Sequence, residues 1–191
     1  VEDGRAYLER SGERFDIIYL DAFRGTGYHP YQLSTLEFYA LCGARLNPGG
    51  VVGINLIDTD PLIGKKLNTL ERGFREVLVF QEKGYMIVLA GNDPAPDPAL
   101  RKRRLEELET RIAFPFDLRQ REAALRPLSE VSIRRLPEDG IVTDANPFGD
   151  VLRTVSPDDP IFYNADPAAP CPCGSGDPFR LCHATQTPRR A

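Results

Sequence analysis

The segment Arg14–Phe23, RFDIIYLDAF, decides the fold. Its apolar centre is short, β-rich and nearly continuous, the pattern of a strand buried on both faces of a parallel sheet. On its N-terminal side GRAYLERSG (4–12) reads as a short helix ended by Gly12, a residue suited to a left-handed cap. On its C-terminal side RGTGYHPYQ (24–32) is a loop with two glycines and a proline. STLEFYALCGARLNPGG (34–50) then reads as a helix. Ser34 caps it, Glu37 stands three residues later as in a capping box, and Asn47-Pro48-Gly49-Gly50 stops it.

VVGINLID (51–58) is the next buried strand, and DPLIGKKLNTLERGFR (60–75) a helix with Pro61 in its first turn, where a missing N–H costs little. EVLVFQEKGYMIVLAGN (76–92) reads as two strands folded back around Glu82-Lys83-Gly84. Helices alternating with strands imply right-handed crossovers and an α/β fold, Rossmann-like, with a mainly parallel sheet and an antiparallel edge strand. After the proline-rich break NDPAPDPA (92–99), LRKRRLEELETRIA (100–113) and LRQREAALRPL (118–128) read as exposed helices whose charges make a solvated, salt-bridged face rather than a nucleic-acid site. GIVTDANPFGDVL (140–152) is a strand or extended loop. Residues 153–169, rich in proline and aspartate, form a linker between a body at 1–152 and a tail at 170–191.

The 191 residues suffice for one ordinary domain and an appendage, and 41% hydrophobic with 27% charged residues is a normal globular balance. A formal charge of −4 offers no field for holding nucleic acid. No apolar run approaches the ~20 residues that span a bilayer, and the N-terminus lacks the basic-then-apolar pattern of a signal peptide. Three of the four cysteines crowd the tail, a distribution that favours a reducing compartment, hence a cytoplasmic location, over a disulfide framework. The chain opens without Met inside a loop entering a helix, as a fragment of a longer protein would.

The tail reads CPCGSGDPFRLCHA (171–184). Cys171, Cys173, Cys182 and His183 offer three thiolates and an imidazole, the donors Zn2+ prefers, in a segment too short to build a core. Free or disulfide-paired thiols are the alternative. Over Pro170–Ala184 the spacing closely resembles the SEC-C motif, which implies zinc and a possible protein partner. Asp177-Pro178 stands where that motif often carries lysines.

In the body, ligands of such folds sit at the carboxyl ends of parallel strands. Asp21 stands there directly after DIIYL, Asp3-Gly4 opens the chain in the same manner, Asn55 sits within the second strand, and Asp58 stands at its end. Each has a plainer reading: Asp3 as a helix cap, Asp21 as a strand terminator, Asn55 as a residue that bonds backbone groups. Tyr28 and His29 can reach the same crevice from the loop, although a lone loop histidine is ordinarily a surface residue. Cys42 reads as a small helix-packing residue.

VEDGRAYL, FDIIYLDAF and HPYQLSTLEFYALCGARLNPGGVVGINL, with the later GIVTDANPFGDVL, resemble the C-terminal half of a spermidine synthase-like protein of the class I AdoMet-dependent transferase fold, over about Val1–Leu152. The resemblance implies that Asp3 and Gly4 contact the adenine of S-adenosylmethionine or decarboxylated S-adenosylmethionine. It also implies that Asp21, with Tyr28 nearby, orients an attacking polyamine nitrogen. True spermidine synthases place a second Asp three residues after the first, where this chain has Arg24-Gly25, a cation that repels an incoming polyamine. The glycine-rich loop and the ribose-binding acid of the family's first half have no counterpart here, so AdoMet-type nucleosides should bind the chain weakly or not at all. The leading expectation is therefore a transferase moving an aminopropyl or methyl group between small molecules. The alternative is a catalytically inactive remnant whose zinc tail acts as a protein-interaction adaptor.

Overall fold

The computed structural model describes residues 3–23, 29–60, 62–82, 84–133, 140–145, 168–169 and 178. The chain runs α1 (Gly4–Arg10), β1 (Phe15–Leu20), α2 (Leu36–Ala44), β2 (Leu46–Ile57), α3 (Ile63–Gly73), β3 (Glu76–Glu82), β4 (Tyr85–Gly91), α4 (Pro98–Arg111), α5 (Leu118–Ala123) and a two-residue β5 (Arg126–Pro127). The sheet order is β1-β2-β4-β3-β5.

The α/β class is as the sequence implies, but parallel pairing is less extensive. Among the described strands only β1–β2 is parallel; β2–β4, β4–β3 and β3–β5 are antiparallel. The β3–β4 hairpin is the reason. Gly84 takes the φ of +87° that its tight turn needs, and β4 folds back between β3 and β2. The body of the core lies between α2, α3 and the central strands, where Phe38, Tyr39, Cys42, Ile54, Leu67 and Met86 are buried.

β1 departs from the doubly buried strand its sequence suggests. It is an edge strand among the described residues, with Ile17 66% and Tyr19 57% exposed, while Leu20 turns into the core. Tyr19 lies across β2 at Gly53, where an added Cβ would come within 2.9 Å of its ring. The strand's apolar run thus has a covered face and an open one.

Three terminal signals work differently from their sequence reading. α1 ends at Ser11, whose N–H bonds Tyr7 O before the chain leaves extended, so Gly12 is no left-handed cap. Thr35, not Ser34, caps α2, its hydroxyl accepting from Phe38 N at 3.2 Å. Glu37 does not close a capping box but accepts from Asp144 N at 3.0 Å. Ser34 is drawn away to His29 and Pro30. Asn47-Pro48-Gly49-Gly50 does not follow the helix as a loop: it forms the irregular start of β2, where the register with β1 shifts. Gly49 takes φ +75°, and a Cβ on Gly50 would meet the Asn47 and Phe15 carbonyls at 2.9 and 3.0 Å.

α4 and α5 bury no residue, as their charge pattern implies. Arg119–Glu109 and Arg101–Glu122 tie the two helices together. Residues 140–145 dock on α2 and α3 without regular structure, through Val142 N to Thr69 Oγ1 and Leu36 N to Val142 O. The Arg5 guanidinium holds the Asp144 carboxylate there as well. No helix among the described residues is long and apolar enough to cross a membrane.

Candidate functional site

Asp21 leaves β1 at its carboxyl end, exposed. The parallel register aligns Leu20 with Ile54, which puts Asp21 beside Asn55, one step further along each strand. Asn55 Nδ2 accordingly donates to Asp21 Oδ1 at 3.0 Å. The amide in the strand therefore serves a side chain, not a backbone group. Its own oxygen, Asn55 Oδ1, is buried and has no donor.

Next to Asp21 a cavity of about 540 Å³ opens between α1, α2 and β1. Its lining is mainly apolar, with Tyr7, Leu8, Ile18, Leu33 and Phe38 among its walls, and both Gly4 and Asp21 line it. Its size falls among small-molecule sites of ~300–1,000 Å³. A Cβ on Gly4 would meet no atom within 4 Å, so the space beside that residue is open. Asp3 stands at the N-terminus of α1 as its cap, Oδ1 accepting from Ala6 N at 2.9 Å. The capping reading of Asp3 thus holds. Asp58 sits past the end of β2, its N–H directed at Gly84 O, and does not line the cavity.

His29 is not the surface residue that a loop histidine suggests: it is 3% exposed. Lys66 explains this. Its Nζ, itself buried, donates to His29 O at 2.8 Å and to Asp60 Oδ2 at 2.6 Å, while Asp60 Oδ1 accepts from Leu62 N at the start of α3. The buried Asp60–Lys66 pair thus holds the backbone at His29 against α3. Desolvation by burial, with a smaller contribution from Lys66, pushes the His29 pKa from 6.5 down to about 4, against a weaker upward pull from Asp21. Its ring is neutral at ordinary pH.

The Asp60–Lys66 pair was not among the sequence candidates. A signal existed: Lys66 shares a helical stripe with Ile63, Leu67 and Leu70, and a lysine on an apolar stripe requires a buried partner. Cys42 is fully buried, and desolvation pushes its thiol up to about 12, which suits packing and not nucleophilic chemistry. Tyr28, Cys171, Cys173, Cys182 and His183 lie outside the described residues, as do Arg24 and Gly25. Among the described residues no cluster of three or more potential metal ligands occurs.

Comparison with known proteins finds likenesses for both the tail and the body. The SEC-C motif matches residues 169–185. The body is similar to a probable polyamine aminopropyl transferase of Bifidobacterium longum, 41% identical over 54 residues that cover 28% of this chain and 12% of that protein. It is also similar to polyamine aminopropyltransferase 2 of Pseudomonas aeruginosa, 39% identical over 78 residues covering 40% and 22%. The chain thus matches less than a quarter of the length of either relative. Among solved structures, a probable spermidine synthase from Corynebacterium glutamicum superposes with TM-score 0.45 at 25% identity, covering 51% of this chain and 38% of that one. Human methyltransferase-like protein 13, solved in complex with SAH, gives TM-score 0.49 at 21% identity, with coverage of 62% and 61%.

Proposed function

We propose that this chain is the acceptor-orienting part of a spermidine synthase-like transferase, carrying a zinc-binding tail. The observation that carries the reading is Asp21, an exposed carboxylate at the end of β1, fixed by Asn55 and set on the rim of an apolar cavity. The likeness to two aminopropyltransferases supports it.

The chemistry follows from what a carboxylate does at such a rim. It attracts an amine and fixes the direction of its nitrogen lone pair. The nitrogen attacks the carbon next to the sulfonium of an S-adenosylmethionine-type nucleoside, the carbon–sulfur bond breaks, and the sulfur leaves as a neutral thioether. The proton released from nitrogen passes to the Asp21 carboxylate as general base. Alignment of the two reactants supplies much of the rate. The transferred group is aminopropyl or methyl. Gly4 lies on the cavity wall, and with Asp3 it would face the adenine. Asp3 can do so through the oxygen that does not cap α1.

In the tail, Cys171, Cys173, Cys182 and His183 form a donor set that fits zinc, and the ion would supply the folding free energy of that segment.

Titration calorimetry with S-adenosylmethionine, its decarboxylated form and methylthioadenosine tests the reading. Binding of any of these that Asp3→Asn weakens supports the transferase. A folded full-length protein that binds none of them supports instead an inactive remnant whose tail serves as an adaptor, the role the Arg24 substitution favours.

A further inference from the structure

The cavity beside Asp21 follows an edge of the sheet. Consecutive residues of β1, Ile17 to Leu20, line it together with Asp21 and Ala22. Successive side chains of a strand point to opposite faces, so a space that all of them border runs along the strand's rim and not over one face. β1 is also the end strand of the described sheet: it pairs with β2 on one side and with no described strand on the other. Leu8, Leu33 and Phe38 make one apolar wall of this slot, and Ile17 and Tyr19 beside it are largely exposed. Phe15–Leu20 contains no lysine and no proline, residues that keep open strand edges from pairing.

The charges at the two ends of the strand indicate the occupant. Arg14 precedes β1 and Asp21 follows it, both exposed. Arg14 gives one of its guanidinium donors to Leu46 O, and Asn55 engages one oxygen of Asp21. The other carboxylates of this stretch, Glu13 and Asp16, accept from the Tyr7 hydroxyl and the Asn47 amide. A second copy of the strand laid antiparallel in the slot sets its Arg14 at the Asp21 end and its Asp21 at the Arg14 end. A parallel copy would set like charge beside like. Centred on Ile18, the antiparallel pairing places Ile17 of each copy across from Tyr19 of the other on the same face.

We propose that the open edge of β1 is an interface between two copies of this chain, which pair β1 antiparallel and continue the sheet across a twofold axis. The interface does not depend on Asp21 being an amine site. It bears on that site all the same: the second strand enters the space a small molecule would use, and its Arg14 comes to the Asp21 carboxylate. Pairing and ligand occupancy therefore compete, and the dimer is the closed form of the cavity.

Sedimentation equilibrium of the full chain over a concentration series tests this. The wild type should approach twice the chain mass of 21.3 kDa. Arg14→Asp and Asp21→Arg should each weaken association about tenfold or more, because each sets like charges at both ends of the pair. An equimolar mixture of these two variants should dimerise again, since opposite charges then meet at both ends, a recovery that misfolded variants cannot give. Hydrogen exchange of the β1 amides should slow as the dimer forms. A wild type that stays monomeric overturns the proposal, and so does a mixture that fails to recover. A dimer whose β1 amides exchange as fast as in the monomer places the interface elsewhere and overturns it too. A monomer with β1 amides already protected means that another segment fills the slot, and excludes the second copy. None of these outcomes alters the calorimetric test of the transferase reading, so the two can fail separately.

Discussion

At the scale of the residue, His29 makes the stability of the fold depend on pH. Its folded pKa, about 4, lies below the ordinary 6.5, chiefly through burial and secondarily through Lys66 on α3, with Asp21 after β1 pulling weakly the other way. The unfolded chain therefore binds the extra proton first. Stability is at its full value above pH 6.5 and falls as pH drops toward 4. With ~1.4 kcal/mol for each tenfold change in proton affinity, the loss reaches about 3 kcal/mol. Urea unfolding at pH 7 and pH 5 should show this slope, and His29→Asn should flatten it. An unchanged slope in that variant would place the titration elsewhere.

What the sequence reveals differs from one residue to the next. The place of Asp21 on the cavity rim was legible because a carboxylate directly after an apolar strand stands at the carboxyl end of an α/β sheet. Asn55 was visible as a polar residue in an apolar strand, but its partner depends on the Leu20–Ile54 register, which no local pattern encodes. His29 was misread because its burial is decided 37 residues downstream by Lys66.

At the scale of the element, α3 is held against the site by an ion pair as well as by its apolar stripe. Lys66 is 1% exposed and Asp60 3%. Removing either partner strands a charge in the core. Lys66→Met should lower stability by about 3–5 kcal/mol, and Lys66→Met with Asp60→Asn should recover most of that loss. Chemical denaturation of the two single variants and the double variant measures the coupling; purely additive losses would mean the pair does not act as a unit. Element boundaries were less legible than element types. β1, α2, α3 and the hairpin all stand where periodicity puts them. The caps moved because Ser34 had a tertiary partner in His29, leaving Thr35 to close α2. The continuous apolar run of β1 cannot tell an edge strand from a central one, since Ile17 and Tyr19 have the same chemistry in either setting.

At the scale of the whole molecule, the described residues form a body with a ligand-sized cavity, and the sequence at 169–185, which matches the SEC-C motif, carries donors that suit a metal. The cavity's walls come from α1, β1 and α2 together, so its existence follows from packing, while the tail's chemistry can be read from a dozen consecutive residues. Elemental analysis of protein purified under reducing conditions should find one zinc per chain, lost on Cys182→Ser with the body still folded. Metal-free protein would return the tail to ordinary thiols.

The account depends most on Asp21 facing an amine, and calorimetric titration of the protein with 1,4-diaminobutane examines this directly. Asp21→Asn should weaken binding about tenfold or more, as expected for a lost charge-assisted contact, while Asp58→Asn, past the end of β2 and away from the cavity, should leave it unchanged. Equal diamine affinity in the wild type and in Asp21→Asn would contradict it.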